Sequence, residues 1–236
     1  MLLELDGVRL LTDPVLRSRM LHLRRSGRVD LERVRDVDAA LVSHAHWDHL
    51  DLPSLDRLAG KPQVVVPRGM GATLRRRGLA NVAEVDVGDV VEIGAVTVTA
   101  TIAEHDGRRG PLAPDSPSLG YLIAGTQRVY FAGDTDLFDE MGELGHLDAA
   151  LLPVAGWGPR LPPGHLDPRH AAEALGLLHP RVAIPIHWGT YSVISLRRRD
   201  PARDRAPAEE FERLAHELAP EVDIHVLAHG ETLVLD

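Results

Sequence analysis

The segment at 44–49 reads His-Ala-His-Trp-Asp-His, and it constrains the chain more than any other stretch. An apolar run at 38–42 precedes it, and the turn-like sequence Leu-Asp-Leu-Pro at 50–53 follows it. This order predicts a buried strand that ends near the first histidine, with the rest of the motif in a loop. Side chains at the end of a strand have a rigid support, which a metal or catalytic site requires.

All four polar side chains of this motif are potential metal ligands. His44 and His46 can point to one side of the loop, and Asp48 and His49 can turn toward a second position close by. Neutral imidazoles and a carboxylate suit cations such as Zn²⁺, Mn²⁺ and Fe²⁺. Isolated surface histidines are common, but four ligands in this register favour a site for two metal ions.

The composition of the chain limits the other classes of function. With 236 residues, 44% apolar and 26% charged, the chain can bury a full core, and we predict a single domain over 1–236. The formal net charge of −9 argues against general nucleic-acid binding, so no nucleic-acid partner is expected. The absence of cysteine excludes disulfides, thiolate nucleophiles and cysteine-ligated zinc.

The sequence lacks the features of a membrane-spanning or secreted chain. No apolar run approaches the roughly 18 residues of a transmembrane helix, and no basic-then-apolar leader is present. We therefore expect no transmembrane segment and a cytoplasmic location. The oligomeric state is left open, a homo-oligomer included.

The apolar and turn patterns predict short strands separated by helices. Strands are expected at 2–5, 8–11, 39–42, 63–66, 82–85, 96–102, 119–124, 129–132, 149–152, 182–186, 223–227 and 232–235. Helices are expected at 69–77, 137–144, 168–178 and 208–218, and 197–207 has the composition of a linker. This order favours an α/β fold in which two sheets pack together with helices outside, a four-layer αβ/βα sandwich.

Two metal ions need more than four protein ligands, and three candidates follow predicted strands downstream. His105 comes after the strand at 96–102, and the alternative for it is an exposed loop histidine. His187 ends the strand at 182–186 in the sequence Ile-His-Trp-Gly-Thr, and the alternative for it is a histidine packed in the core.

Asp134 is the third candidate, in the sequence Ala-Gly-Asp-Thr after the strand at 129–132. The glycine beside it lets the backbone come close to a metal. A carboxylate can also bridge two cations, which a single imidazole does poorly. The alternative is that Asp134 caps a helix at 136–144.

Taken together, these motifs resemble those of the metallo-β-lactamase superfamily. The order His-x-His-x-Asp-His, a lone His, Gly-Asp-Thr and Ile-His-Trp-Gly-Thr is similar to the branch that contains N-acyl-phosphatidylethanolamine-hydrolysing phospholipase D. The ascorbate-6-phosphate lactonases lie nearby. The resemblance covers nearly the whole chain and includes Leu-Thr-Asp-Pro at 11–14 and His-Leu-Asp-Pro at 165–168. It implies the αβ/βα sandwich.

The resemblance also implies two metal sites that share one carboxylate. His44, His46 and His105 would hold one ion, Asp48, His49 and His187 would hold the other, and Asp134 would bridge them.

The chemistry implied is that of a metal-dependent hydrolase with a small-molecule ester or phosphodiester substrate. Two divalent ions about 3.5–4 Å apart lower the pKa of a water between them. The metal-bridging hydroxide attacks a phosphodiester, a lactone or a related ester, and the metals stabilise the charge that develops on oxygen. Asp134 would orient the hydroxide, and Asp48 would help to fix the second metal. Zn²⁺ is the first expectation, and Mn²⁺ and Fe²⁺ stay open.

His165 matches a histidine of the phospholipase branch that lies near the reacting group and is not usually a ligand. The resemblance implies that it acts as a general acid or oxyanion donor. The alternative is an exposed histidine just before a helix cap.

Two segments depart from the phospholipase branch. Asp106 replaces the tryptophan that usually follows the third histidine, although Arg109 keeps an arginine four positions after it. A Trp-Gly-rich stretch is reduced to Ser-Leu-Gly-Tyr at 118–121. These segments would line the substrate pocket, so a phospholipid substrate is not inferred.

Proteins with other functions on the same fold carry different sequence features. Diiron oxidoreductases usually carry glutamate at the position of His46, together with a flavin domain. Nucleic-acid-processing relatives carry an extra domain or a basic arm. A diiron oxidoreductase and a non-catalytic metal-binding relative are kept as alternatives, although a non-catalytic relative would be expected to have lost ligands.

Overall fold

The computed structural model describes residues 1–110, 116–155, 161–194 and 201–235. Its strands are β1 (Leu2–Leu5), β2 (Val8–Thr12), β3 (Arg19–Met20), β4 (Leu23–Arg25), β5 (Ala39–Leu41), β6 (Gln63–Pro67), β7 (Val82–Val85), β8 (Val90–Ile93), β9 (Val96–Ile102), β10 (Leu119–Ala124), β11 (Arg128–Phe131), β12 (Ala149–Pro153), β13 (Val182–Ile186), β14 (Tyr191–Val193) and β15 (Asp223–Ile224). Its α-helices are α1 (Leu31–Val34), α2 (Leu52–Leu55), α3 (Gly71–Arg76), α4 (Pro168–Leu178) and α5 (Pro201–Leu218), and a 3₁₀ helix covers Asp139–Leu144.

The chain divides into two compact units. The first unit contains residues 1–16 and 30–134, and the second contains residues 17–29 and 135–236. The sequence prediction of a single domain over 1–236 stays a prediction.

The first unit contains two sets of paired strands. One sheet has the order β1-β2-β5-β6-β7, in which β1 and β2 form an antiparallel hairpin and the later neighbours pair parallel. Strands β8, β9, β10 and β11 pair antiparallel in succession. The central strand β5 is fully buried, as the apolar run before the histidine motif predicts.

The second unit also contains two sets of strands. Strands β12, β13 and β15 pair parallel, and β3, β4 and β14 form a small antiparallel sheet. Helix α4 packs against α5. Asp167 caps α4 by accepting hydrogen bonds from the backbone N–H groups of Arg169 and His170, and Pro168 occupies the first turn. This cap was predicted from the sequence.

Most predicted elements are confirmed, and the differences have identifiable causes. The Asp6-Gly7 turn joins β1 and β2 with both residues at positive φ, as a two-residue hairpin turn requires. The strand predicted at 232–235 is wrong, because the structure has irregular backbone there. The predicted linker is partly helical, since α5 begins at Pro201 and contains Pro207, and its residues 197–200 lie outside the described part of the chain.

Within the described residues, no helix is both long enough and apolar enough to cross a bilayer.

Candidate metal centre

Three strands of the first unit end at the candidate ligands. The motif at 44–49 follows β5, His105 follows β9, and Asp134 follows β11. Six predicted ligands therefore belong to this unit and come together in it. They are His44, His46, Asp48, His49, His105 and Asp134.

The first group of ligands consists of imidazoles only. Nε2 of His44 lies 2.9 Å from Nδ1 of His46, and Nε2 of His105 lies 3.2 Å from the same Nδ1. One ring nitrogen from each of the three residues lies within 4.8 Å of the others. His44 is buried, and the other two rings are half-buried. We call His44, His46 and His105 the imidazole group.

The second group combines one imidazole with carboxylates. Nε2 of His49 lies 3.2 Å from Oδ2 of Asp134 and 3.7 Å from Oδ2 of Asp48. The same Asp134 oxygen lies 4.0 Å from Nε2 of His44. His49 and Asp134 are buried, each with 3% of its surface exposed. We call His49, Asp48 and Asp134 the carboxylate group, and Asp134 is its carboxylate that lies within 4.0 Å of a ring nitrogen of each group.

Asp13 organises the histidines of both groups from outside the ligand set. Its carboxylate accepts a hydrogen bond of 2.6 Å from Nδ1 of His49 and one of 2.7 Å from the Ser43 hydroxyl. The Ser43 oxygen lies 3.0 Å from Nδ1 of His44 and can accept a hydrogen bond from it. With each Nδ1 protonated in this way, the neutral form of His44 and of His49 has its lone pair on Nε2, the form that binds a metal.

The two groups place histidines in opposite electrostatic environments. Burial, followed by repulsion from His49, moves the pKa of His44 well below its usual range. Burial also lowers the pKa of His46, against the attraction of Asp48. Burial acts in the same direction on His49, but Asp134, Asp13 and Asp48 together outweigh it and raise the pKa of His49 well above its usual range.

Two glycines allow the backbone of the ligand loops to pass close to neighbouring residues of the site. Gly133 has φ +64°, and a Cβ there would lie 2.8 Å from the Leu119 carbonyl oxygen and 2.8 Å from Cβ of Ser43. The sequence predicted that glycine here would let the backbone approach a metal, and the structure gives a second reason, the close approach of Leu119 and Ser43. A Cβ on Gly107 would lie 2.6 Å from Cβ of His44, so the loop after His105 also requires glycine.

Arg109 ties the loop after His105 to the histidine motif. Its Nε donates a 2.7 Å hydrogen bond to the carbonyl of Ala45, and its Nη2 donates to the carbonyl of Leu50. The guanidinium also lies 4.1 Å from the centre of the Trp47 ring. One side chain therefore holds both ends of the ligand loop.

The two remaining predicted site residues lie in the second unit. His187 follows β13 with φ +60°, and its Nδ1 donates a 2.7 Å hydrogen bond to the carbonyl of Ala155. That bond places the lone pair of the ring on Nε2, the form that a metal ligand requires. His165 donates from Nδ1 to the carbonyl of Pro162 at 3.1 Å and precedes the cap of α4. The places of both residues in the site stay predictions.

The positioning roles of Asp13, Ser43 and Arg109 were not predicted from the sequence. Asp13 and Arg109 belong to the family pattern there, and Ser43 does not. A signal existed for Asp13, because an Asp-Pro pair directly after a buried strand leaves a carboxylate at a strand end. Nothing in the sequence indicates which carbonyl groups Arg109 contacts.

The chemistry and spacing of these residues fit divalent cations. Zn–N bonds of about 2.0–2.1 Å place the nitrogens of a tetrahedral site about 3.3 Å apart. The ring nitrogens of the imidazole group, at 2.9 and 3.2 Å, are close to that spacing without a metal. The carboxylate group adds the oxygen ligands that borderline and harder cations accept.

The fold and this cluster together define a class of metal-binding α/β proteins, and comparison with known proteins identifies the family. Residues 8–188 match the family model described as a beta-lactamase superfamily domain. Because the match covers more than half of the chain, the chain belongs to this family. The resemblance and the α/β sandwich fold class inferred from the sequence are confirmed.

Individual relatives extend over most of the chain. A UPF0173 metal-dependent hydrolase of Methanopyrus kandleri is 33% identical over 97% of this chain and 93% of its own length. N-acyl-phosphatidylethanolamine-hydrolyzing phospholipase D 1 of Caenorhabditis elegans is 32% identical over 89% of this chain and 68% of its own length.

Solved structures agree on the fold. Igni18, a metallo hydrolase from Ignicoccus hospitalis, superposes with a TM-score of 0.72 over 98% of this chain and 92% of its own, at 24% identity. At that level of identity the likeness concerns the fold alone.

Proposed function

We infer that the protein is a metal-dependent hydrolase, and we propose that it holds two divalent cations and cleaves a phosphodiester, a lactone or a related ester. The observation that carries this proposal is the convergence of six ligating side chains in the first unit. The names of the relatives from Methanopyrus kandleri and Caenorhabditis elegans support hydrolysis.

The two groups of the first unit support two metal positions. In the proposal, His44, His46 and His105 hold one cation, and His49, Asp48 and His187 hold the other. Asp134 serves both, which is supported by its Oδ2 lying 3.2 Å from His49 and 4.0 Å from His44. The assignment of His187 comes from its sequence pattern, and its Nδ1 hydrogen bond to Ala155 supports a ligating Nε2.

When bound, two such cations activate a water for attack and offset the charge that develops on oxygen. The residues of this chain have separate tasks. Asp134 orients the attacking water through its carboxylate, and Asp48 restrains the second position. His165 is proposed to move a proton to the leaving group or to donate a hydrogen bond to the oxyanion from Nε2, since its Nδ1 is engaged by Pro162.

A polar cavity beside His105 supports a small polar substrate. It has a volume of about 500 Å³, within the range of small-molecule sites. Asp106, Arg108, Ser116 and Ser118 line it together with His105. Asp106 and Arg108 form an ion pair of 2.8 Å, so the position that carries tryptophan in the phospholipase branch is charged and paired here. This lining favours a headgroup-sized ester over a long acyl chain.

Metal analysis followed by a substrate screen tests the proposal. The protein, purified without added metal, is examined for bound metals and then assayed on bis-p-nitrophenyl phosphate and on aliphatic lactones. We expect close to two equivalents of Zn²⁺, Mn²⁺ or Fe²⁺, together with turnover that chelators abolish and metal restores. Activity of the same size in Asp134→Ala and His46→Ala would overturn the proposal, and so would a folded protein that takes up no divalent ion.

A further inference from the structure

A short segment of the second unit has a charge opposite to that of the whole chain. Residues 17–29 contain five arginines and no acidic residue, while the chain as a whole has a formal charge of −9. The sequence of the segment is Arg-Ser-Arg-Met-Leu-His-Leu-Arg-Arg-Ser-Gly-Arg-Val. It contains β3 and β4, and we call residues 17–29 the basic hairpin. Neither the metal ligands nor their supporting residues include any part of it.

The arginines of the basic hairpin fall into two kinds. Arg25 is held in the fold, because its guanidinium lies 4.7 Å from the centre of the Tyr191 ring and donates to the Arg17 carbonyl at 3.3 Å. Tyr191 donates a 2.6 Å hydrogen bond to the same carbonyl. These contacts anchor the hairpin against β14 and give it a defined shape.

Three of the other arginines face solvent, while Arg17 is half-buried. Arg19, Arg24 and Arg28 are exposed, and within the described residues no carboxylate lies at ion-pair distance from any of them. Arg19 and Arg24 are also direct cross-strand partners in the β3–β4 pair. Like charges placed directly opposite each other destabilise a sheet. The fold keeps this unfavourable pair at its surface, where an anionic partner would relieve it.

An apolar side chain stands at the tip of the same hairpin. Leu21 is 73% exposed and has φ +49°, a backbone conformation that glycine and asparagine adopt much more readily than leucine. Val193 and Ile194 are also exposed, and the N–H of Ile194 donates to the carbonyl of His22 beside the tip. The leucine therefore contributes little packing and an unfavourable turn conformation, and its side chain is accessible to a partner.

We propose that the basic hairpin docks the protein on an anionic lipid surface. Leu21, with Val193 and Ile194, would enter the boundary between headgroups and acyl chains, and Arg19, Arg24 and Arg28 would bind lipid phosphates. Membrane association of this kind adds the burial of apolar side chains to the attraction between basic residues and anionic lipids. The surface is small, so binding is reversible and sensitive to salt.

The apolar tip favours a lipid partner over a nucleic acid. Sites for single-stranded nucleic acid combine basic residues with aromatic side chains on which bases stack, and the basic hairpin contains no aromatic residue. Inorganic phosphate would bind to the arginines, and its binding would not depend on Leu21. A requirement for both the arginines and the leucine therefore distinguishes a membrane from either of these ligands.

Vesicle sedimentation tests the proposal directly. The full-length, metal-loaded protein is mixed with phosphatidylcholine vesicles or with vesicles that also contain phosphatidylglycerol, at low and at physiological salt. We expect binding to the anionic vesicles only, with an affinity that falls as salt rises. Binding that is equal on both vesicles, or absent at low salt, would overturn the proposal.

Three variants assign the binding to the hairpin. Arg19→Gln/Arg24→Gln should weaken vesicle binding about thirtyfold, since each arginine near an anionic surface is worth about 1 kcal/mol. Leu21→Asn should also weaken it, while thermal stability stays equal or rises because asparagine tolerates the positive φ. The control Arg57→Gln/Arg76→Gln removes the same charge from exposed positions of the first unit and should bind like the unaltered protein.

Competition measurements separate the remaining ligands. If Leu21→Asn binds vesicles as well as the unaltered protein does, the docking surface is purely electrostatic and the proposal fails. It also fails if single-stranded RNA or inorganic phosphate binds more tightly than vesicles and depends on the same two arginines. None of these outcomes depends on hydrolytic activity, so this proposal and the proposed function are tested separately.

Discussion

The imidazole group and the carboxylate group lie side by side in one unit, yet they shift the pKa of histidine in opposite directions. In the imidazole group, three ring nitrogens converge, and burial lowers the pKa of His44 and of His46. In the carboxylate group, Asp134, Asp13 and Asp48 raise the pKa of His49 despite its burial. The first group therefore favours neutral rings that are ready to ligate, whereas the second favours a positive charge in the absence of metal.

This difference indicates what a cation would do in each group of the proposed centre. In the imidazole group it would bind lone pairs that burial has already made available. In the carboxylate group it would replace the proton of His49 as the positive charge among the carboxylates of Asp134, Asp48 and Asp13. The two positions should consequently differ in metal affinity, in dependence on pH and in sensitivity to mutation. The following predictions test that difference, from the largest effect to the smallest.

Replacement of Asp134 should have the largest effect, because its Oδ2 lies within 4.0 Å of a ring nitrogen in each group. We expect Asp134→Ala to lower activity by at least about a hundredfold and to lower metal content at both positions. Metal analysis and steady-state assays measure the two effects. Asp139→Ala, an exposed acidic residue on the 3₁₀ helix, is the matched control. Retention of both metals in Asp134→Ala would contradict a shared carboxylate.

Replacement of His46 should distinguish the two proposed metal positions. His46→Ala removes a ligand from the imidazole group only, so the metal content should fall from about two equivalents to about one, with most of the activity lost. Electrospray mass spectrometry under native conditions counts the bound ions. The exposed His216→Ala should keep both. If His46→Ala lost both ions together, the two groups would form a single cooperative site.

Replacement of Asp13 should weaken the carboxylate group more than the imidazole group. Asp13→Asn removes the charge that faces His49 directly, whereas His44 is reached only through Ser43. We expect metal affinity at the carboxylate group to fall about 10- to 100-fold, the usual cost of losing a partner of a ligating histidine. Chelator competition measures both affinities.

The control for Asp13 is Asp38→Asn, which changes an exposed aspartate that accepts a hydrogen bond from the Arg9 N–H. Equal losses at both metal positions in Asp13→Asn would show that Ser43 transmits the effect of Asp13 as fully as direct contact does.

Replacement of Arg109 should have the smallest effect, on stability and on the imidazole group. Arg109→Gln leaves the carbonyl groups of Ala45 and Leu50 without their charged donor, and we expect a loss of about 1–3 kcal/mol in the free energy of unfolding. Urea denaturation of the metal-free protein measures it. Arg108→Gln, which breaks only an exposed ion pair with Asp106, should cost less than about 1 kcal/mol. Equal losses in both variants would refute the role of Arg109 in holding the loop.

The sequence predicted the parts of the centre that depend on residues close together in the chain. The ligands of the first unit follow apolar strands, and the end of a buried strand is a place where a short motif can be recognised without a structure. A close backbone approach at Gly133 was predicted beside Asp134, and the neighbours that require it are Leu119 and Ser43. The helix at 168–178 was predicted with its bounds, because its cap and its proline are adjacent in the chain.

The parts that depend on distant contacts were not predicted. The hydrogen bond from His49 to Asp13 joins residues 36 positions apart, and that from Arg109 to Ala45 joins residues 64 positions apart. The short strands β3, β4 and β14 were missed because their arginines and exposed apolar residues do not alternate as in a half-buried strand. The strand expected at 232–235 shows the reverse error, since an apolar run of this length is not by itself sufficient to form a strand.

The tight fit of Gly107 against His44 has a consequence for engineering new specificities. Gly107 itself cannot carry a side chain without displacing His44, so this position marks where redesign can begin. Arg108, Ser116 and Ser118 line the cavity beyond that point and hold no candidate ligand. Libraries that vary these three positions and keep Arg109 would change the substrate specificity while leaving the candidate metal ligands unchanged.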